Sequence, residues 1–91
     1  MKNSLYIKSQ LDTTLAIALE SSEELKSMFE AKINLLTWIY NNGNTRTKEE
    51  LQTKLQNTEE RLIALNFMGD TDPIIRKSIE EELKTLKDII E

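Results

Sequence analysis

The chain has no cysteine and no histidine. Without thiols there is no disulfide, no reactive thiolate and no cysteine-ligated zinc site. Without imidazole there is no usual general base, no commonest metal ligand and no side chain that changes charge near neutral pH. Ser–His and Cys–His catalytic arrangements are excluded with it. Gly43 and Gly69 are the only glycines, so a glycine-rich phosphate cradle cannot be built. Aromatic residues make up 5% of the chain, with a single Trp. No apolar run approaches the roughly 20 residues of a membrane-spanning helix. The start, Met1 to Lys8, lacks the apolar centre of a signal peptide. Acidic residues outnumber basic ones, 16 to 12, for a net charge of −4. A nucleic-acid partner, which needs clustered cations to displace counterions, is therefore not expected.

What is present is helix-forming sequence with an apolar set rich in Leu and Ile. The 91 residues suffice for one domain (residues 1–91) with a modest core, since a chain of this size buries roughly 60–65% of its unfolded surface. The pattern predicts an all-α protein, an antiparallel three- to four-helix bundle, with helices over about 4–20, 22–42, 48–67 and 73–90. In the first helix Ile7, Leu11, Leu15 and Leu19 fall at i+4 steps, with Leu5 and Ala18 beside them. Ser4 is its best upstream cap. Ser21 and Glu24 have capping-box spacing for the second helix. There Leu25, Met28, Phe29, Ile33, Leu36, Ile39 and Tyr40 form the main stripe, and Ala31, Leu35 and Trp38 broaden it. A helix apolar over so much of its surface is expected between two others.

The third helix carries Leu51, Leu55, Leu62 and Leu65 on its buried face, with Ile63 and Phe67 widening the end. Gly69 suits a left-handed terminator. Asp72 before Pro73 is a strong start for the fourth helix. Its stripe is Ile75, Ile79, Leu83, Leu86 and Ile90, with Glu80, Glu81, Glu82, Lys84 and Lys87 on the solvent side.

The reversal at 38–50 organises the rest. Asn41-Asn42-Gly43-Asn44 is turn chemistry, because Asn and Gly tolerate positive φ. Thr47 and Glu50 can then form a capping box. Trp38 on the last turn before the reversal is read as a core anchor between helices, in preference to an exposed aromatic that binds a partner. Asp70 and Asp72 resemble the start of a calcium loop, but Pro73 follows at once and the later ligands are missing, so the cap reading is preferred. No catalytic, cofactor-binding or metal-ligating residue is assigned, and an independent enzyme is not expected.

Trp38, Ile39, Tyr40 and Gly43, then Thr47 and Lys48, Lys54 and Leu55, then Pro73, Ile74 and Arg76, form a pattern. It resembles the C-terminal helical lid of the heat-shock 70-kDa chaperone superfamily. The closer similarity is to its large branch, the 110-kDa cytosolic and 170-kDa lumenal relatives. Asn3, Ser4, Leu5 and Tyr6 look like the end of the long lid helix. Two departures stand out: Asn41 and Asn42 replace acids common at the turn, and the segment from Gly69 to Pro73 is longer than usual.

The resemblance implies a fragment of a longer chaperone, cytoplasmic or lumenal to the endoplasmic reticulum. ATP would be bound only by a domain outside it, with no cofactor in this part. It also implies action by lid closure over unfolded polypeptide or by embracing a partner 70-kDa chaperone during nucleotide exchange. Its first helix is expected to hide Ile7, Leu11 and Leu15 by pairing with, or exchanging into, a second copy. The competing reading is a small free-standing acidic adaptor, immunity or inhibitor protein of bacterial or phage origin. A type VII secretion effector is a weaker variant, because Trp38 and Gly43 stand too far apart for its Trp-x-Gly turn.

Overall fold

The fold is described for residues 1–41, 43–69 and 72–91 of a computed structural model, with the backbone alone for Glu24. It is an all-α four-helix bundle. The order is α1 (Ser4–Leu19), α2 (Glu23–Ile39), β1 (Tyr40–Asn41), β2 (Asn44–Thr45), α3 (Lys48–Met68) and α4 (Pro73–Ile90). The two short strands form one antiparallel ribbon, with Tyr40 opposite Thr45 and Asn41 opposite Asn44.

Local chemistry sets most of the boundaries. Thr47 Oγ1 accepts from the Glu50 N–H, and Glu50 Oε1 accepts from the Thr47 N–H, both at 3.3 Å. This capping box starts α3. Gly69, at φ 70°, ends that helix in the left-handed region. Asp72 Oδ1 accepts from the Ile74 N–H at 2.9 Å, ahead of Pro73 at the first helical position of α4.

Three boundaries differ from the sequence expectation. α2 stops at Ile39 rather than near 42, because Tyr40 turns extended and joins the ribbon, while the Arg46 N–H donates to the Ile39 carbonyl. α1 is capped by Asn3, whose Oδ1 accepts from the Tyr6 N–H at 2.9 Å, and not by Ser4. The N-cap of α2 is Ser22, without a side-chain bond, and not Ser21. The Ser21 hydroxyl instead donates back to the Ile17 carbonyl and closes α1. The Asn42 part of the expected turn, the Glu24 half of the expected box, and Asp70 with Thr71 lie outside the described residues.

α1 packs on α2, α2 on α4, and α4 on α3. The first and last of these pairs are antiparallel hairpins. α2 and α4 run parallel: Leu25 and Met28 face Pro73, Ile74 and Lys77 at one end, Lys32 pairs with Glu81 midway, and Leu36 and Ile39 join Leu86 and Ile89 at the other. α2 is thus central, as its broad stripe predicts, and α4 shares that place. The Cα envelope is a slab of 40 × 33 × 19 Å.

The tight core lies at one end, which we call the closed end. Ile7, Leu35, Leu36, Ile39, Leu51, Leu86 and Ile89 are buried there, and Leu11, Trp38, Tyr40, Leu55 and Ile90 pack against them. The Lys2 N–H donates to the Ile89 carbonyl at 2.7 Å, and the Tyr6 hydroxyl to Asp88 Oδ2 at 2.5 Å, so the start of the chain is fastened to the end of α4.

Several stripe assignments need correction. Strict i+4 steps drift about 40° per step round a helix of 3.6 residues per turn. The line Ile7, Leu11, Leu15, Leu19 therefore rotates out of the interface. Leu15 and Leu19 are exposed, as is Leu5, and the covered line continues through Thr14 and Ala18. In α3, Ile63 and Phe67 are exposed and do not widen the buried face, while Thr58 is buried. In α4, Ile75 is exposed, and Ile89, outside the expected stripe, is fully buried. Thr14, Thr58 and Thr85 enter the interior because each hydroxyl donates to the carbonyl four residues back, at 2.6–2.8 Å. Glu81 and Glu82 are not merely solvated. Lys32 reaches Glu81 at 3.6 Å from α2, and Arg61 reaches Glu82 at 3.4 Å from α3.

Candidate protein-contact surface

The resemblance-bearing residues fall at both ends of the slab. At the closed end, Trp38 is half-buried at the margin of the core. It is neither a fully enclosed anchor nor a free aromatic. The Arg46 guanidinium lies 4.2 Å from the ring centroid and the Lys54 ammonium 5.7 Å. Arg46 also donates from Nε to the Trp38 carbonyl at 2.7 Å and from Nη1 to Glu50 at 2.9 Å. This bond, followed by that from the Thr47 N–H, holds the Glu50 carboxyl below its ordinary value. A concavity of about 300 Å³ is lined by Trp38, Asn41, Asn44, Thr45, Arg46 and Glu50. Arg46 is held in place here by the ring, the Trp38 carbonyl and the Glu50 carboxylate, which already balances its charge.

The other end is open. Above the Lys32–Glu81 pair the N-terminal turns of α2 and α4 leave a cleft of about 310 Å³, lined by Leu25, Met28, Asp72, Pro73, Ile74 and Lys77. Pro73 at the first position removes an N–H that would otherwise need a partner, which suits an apolar lip. Asp72 and Lys77 put one charge of each sign on the rim. Leu25 remains 45% exposed, and Leu19, at the end of α1, 83%. Arg76, the last residue of the resemblance, is half-buried on α4.

A second groove, of about 250 Å³, lies between α3 and α4. Arg61, Ala64, Leu65, Met68, Ile75 and Ile79 line it. The hydrophobic pattern puts Leu25, Ile63, Phe67 and Ile75 in the interior and shows neither recess. The signal for both is only that apolar residues exceed what a two-sided helix can bury.

Among the described residues no group of three or more acidic side chains is arranged to hold a metal ion. No helix is long and apolar enough to cross a membrane. The Tyr6 phenol is also perturbed, held above its ordinary value by its hydrogen bond to Asp88 and by burial. Together these features define a helical bundle whose distinctive surfaces are apolar recesses. No protein-family model matches this sequence, no curated protein matches it, and no solved structure matches the fold.

Proposed function

We infer that the protein acts by contact with another polypeptide, has no chemistry of its own, and receives an apolar segment of its partner in the cleft between α2 and α4. The observation that carries this reading is the cleft itself: exposed Leu25 and Pro73 and half-buried Met28 and Ile74 line a recess at the open end of a bundle whose closed end is tightly packed. Its volume takes one or two aliphatic side chains rather than the face of a helix, which suits an extended chain. Such anchors in a concave apolar site supply most of the energy of a protein contact.

In its specific form, the reading is a lid-type bundle of the heat-shock 70-kDa superfamily, large branch. It would work in the cytoplasm or the lumen of the endoplasmic reticulum on unfolded polypeptide or on a partner 70-kDa chaperone. The support for that form is the sequence resemblance, whose Pro73 and Ile74 stand at the cleft. A second form, a small free-standing acidic adaptor, immunity or inhibitor protein of bacterial or phage origin, is supported by the excess of acidic over basic residues, 16 to 12.

The test is fluorescence anisotropy with a labelled polypeptide kept unfolded by reduction and alkylation. Saturable binding is expected, weakened tenfold or more by Leu25→Asp, which puts an unpaired charge in the apolar cleft. No binding at hundreds of micromolar, or equal binding by the variant, refutes the cleft as the contact site. Faster nucleotide release from a 70-kDa chaperone is the outcome specific to the lid form.

A further inference from the structure

Charge is unevenly placed along the bundle. Cutting each helix at its midpoint gives an open half, residues 12–31 and 58–81, and a closed half made of the rest. The open half holds eleven acidic and four basic residues, a net −7, and the closed half five and eight, a net +3. Helix-start chemistry accounts for little of this. The first turns of α1 and α4 hold no acid. Glu20, Glu30, Glu59, Glu60 and Glu80 of the open half are exposed and stand outside any first turn. Glu20 even sits at the C-cap of α1, where the helix dipole disfavours it. The dipoles themselves oppose one another at this end, because the C-termini of α1 and α3 lie beside the N-termini of α2 and α4. Side-chain charge therefore sets the field there.

That charge is divided between two arms. In the open half the α1–α2 hairpin carries −4 and the α3–α4 hairpin −3. At the closed end the arms are fastened by the shared core, by the ribbon, by the Lys2 bond to Ile89 and by the Tyr6 bond to Asp88. Midway, Lys32 reaches Glu81 at 3.6 Å. Beyond that pair the arms diverge around the α2–α4 cleft. There Leu25 and Ile75 stay 45% and 48% exposed, so little apolar cohesion opposes a like-charge push. Packed helices stand about 10 Å apart. The Debye length is ~30 Å at 0.01 M salt and ~3 Å at 1 M, so the arms sense each other's charge at the first and not at the second.

We propose that the two hairpins form a salt-sensitive jaw, hinged at the closed end, that widens the α2–α4 cleft at low ionic strength and narrows it at high. An arm of about 17 residues is ~25 Å long, and a turn of about 10° at its base moves its tip by about 4 Å. That displacement is enough to change whether an aliphatic side chain is gripped. The bearing of the motion on binding rests on the function proposed above; the motion itself needs no partner.

The test is a spin-label distance measured by double electron–electron resonance, which the absence of native cysteine allows. Leu19→Cys with Phe67→Cys labels the tips of the outer helices, at positions 83% and 90% exposed. Leu5→Cys with Gln52→Cys labels exposed positions of the same two helices at the closed end. None of the four changes alters charge. Between about 0.01 M and about 1 M sodium chloride the tip distance is expected to shorten by about 4 Å and the closed-end distance by less than about 1 Å. Glu30→Gln, Glu59→Gln and Glu80→Gln together, all at exposed positions, bring the arms to −3 and −1. The product of the arm charges falls to a quarter, and the shortening is expected to fall to about 1 Å. A tip distance indifferent to salt, an equal change at both ends, or full shortening in the neutralised protein overturns the proposal. A fixed tip distance in a protein that binds unfolded polypeptide sinks the jaw and leaves the cleft reading standing. A moving jaw in a protein that binds none supports the jaw and sinks the cleft reading.

Discussion

Replacement of Trp38 by Ala measures how much the closed end depends on its margin. A Trp side chain presents up to about 250 Å², and here roughly two-thirds or more of it is covered, by the core on one side and by Arg46 and Lys54 over the ring. At ~25 cal/mol per Å² the lost burial costs about 4 kcal/mol. The Arg46 stack adds ~0.5–1 kcal/mol, offset by what the Ala methyl retains. The expected total is about 3–4 kcal/mol, comparable to truncating the fully buried Leu86 to Ala, for which ~3–4 kcal/mol is typical. For a domain of this size that lowers the melting temperature by roughly 10–20 °C. Trp38→Phe, which keeps a ring under Arg46, is expected to lose about 1 kcal/mol. Far-UV circular dichroism, which does not rely on the indole, follows both in heat and in urea. A shift below about 3 °C for Trp38→Ala would show that the ring contributes little, and the described packing around it would be wrong. An unfolded variant at 25 °C would show that the ring lies deeper than half-buried.

Two further predictions concern the ends of α3. Gly69 sits at φ 70° with nothing within 4 Å of where a Cβ would be, so Gly69→Ala pays only the backbone cost of the left-handed region, about 1 kcal/mol. A thermal melt is expected to fall by roughly 4–8 °C, and an unchanged melt would deny the terminator role. The Glu50 carboxyl is held below its ordinary value by Arg46 and Thr47. Its stabilisation is therefore complete above the unfolded-state value and is lost as the pH falls through the lower folded-state value. Glu50→Gln is expected to be less stable than the parent near neutrality and to converge with it at the acid end of a pH series; a constant gap would refute the assignment.

The sequence was most legible where a backbone group needs a specific side chain. Thr47 with Glu50 and Asp72 with Pro73 satisfy or excuse a terminal N–H, Gly69 takes the left-handed turn, and three of the four ends of α3 and α4 follow from them. It was least legible where the choice of neighbour decides burial. Thr14, Thr58 and Thr85 read as polar, yet their hydroxyls find helix carbonyls and go inside. Leu15, Leu19, Ile63 and Phe67 read as core, yet they point outward once α4 settles between α2 and α3. Nothing local specifies that order, because α2 and α4 are distant in sequence and pair through Lys32 with Glu81 as well as through apolar contacts. The cleft is a consequence of that parallel pairing: its walls come from two first turns that sequence patterns treat separately, so Leu25 could be assigned only to a stripe.

The proposed contact site for another polypeptide is the open end, between α2 and α4. Amide chemical shifts of the isotope-labelled protein, recorded while an unlabelled, permanently unfolded polypeptide is added, test this most directly. The predicted result is progressive change confined to residues 23–29 and 73–78, with the hairpin over 38–50 unmoved. No change, or change centred on Trp38 and Arg46, would contradict it.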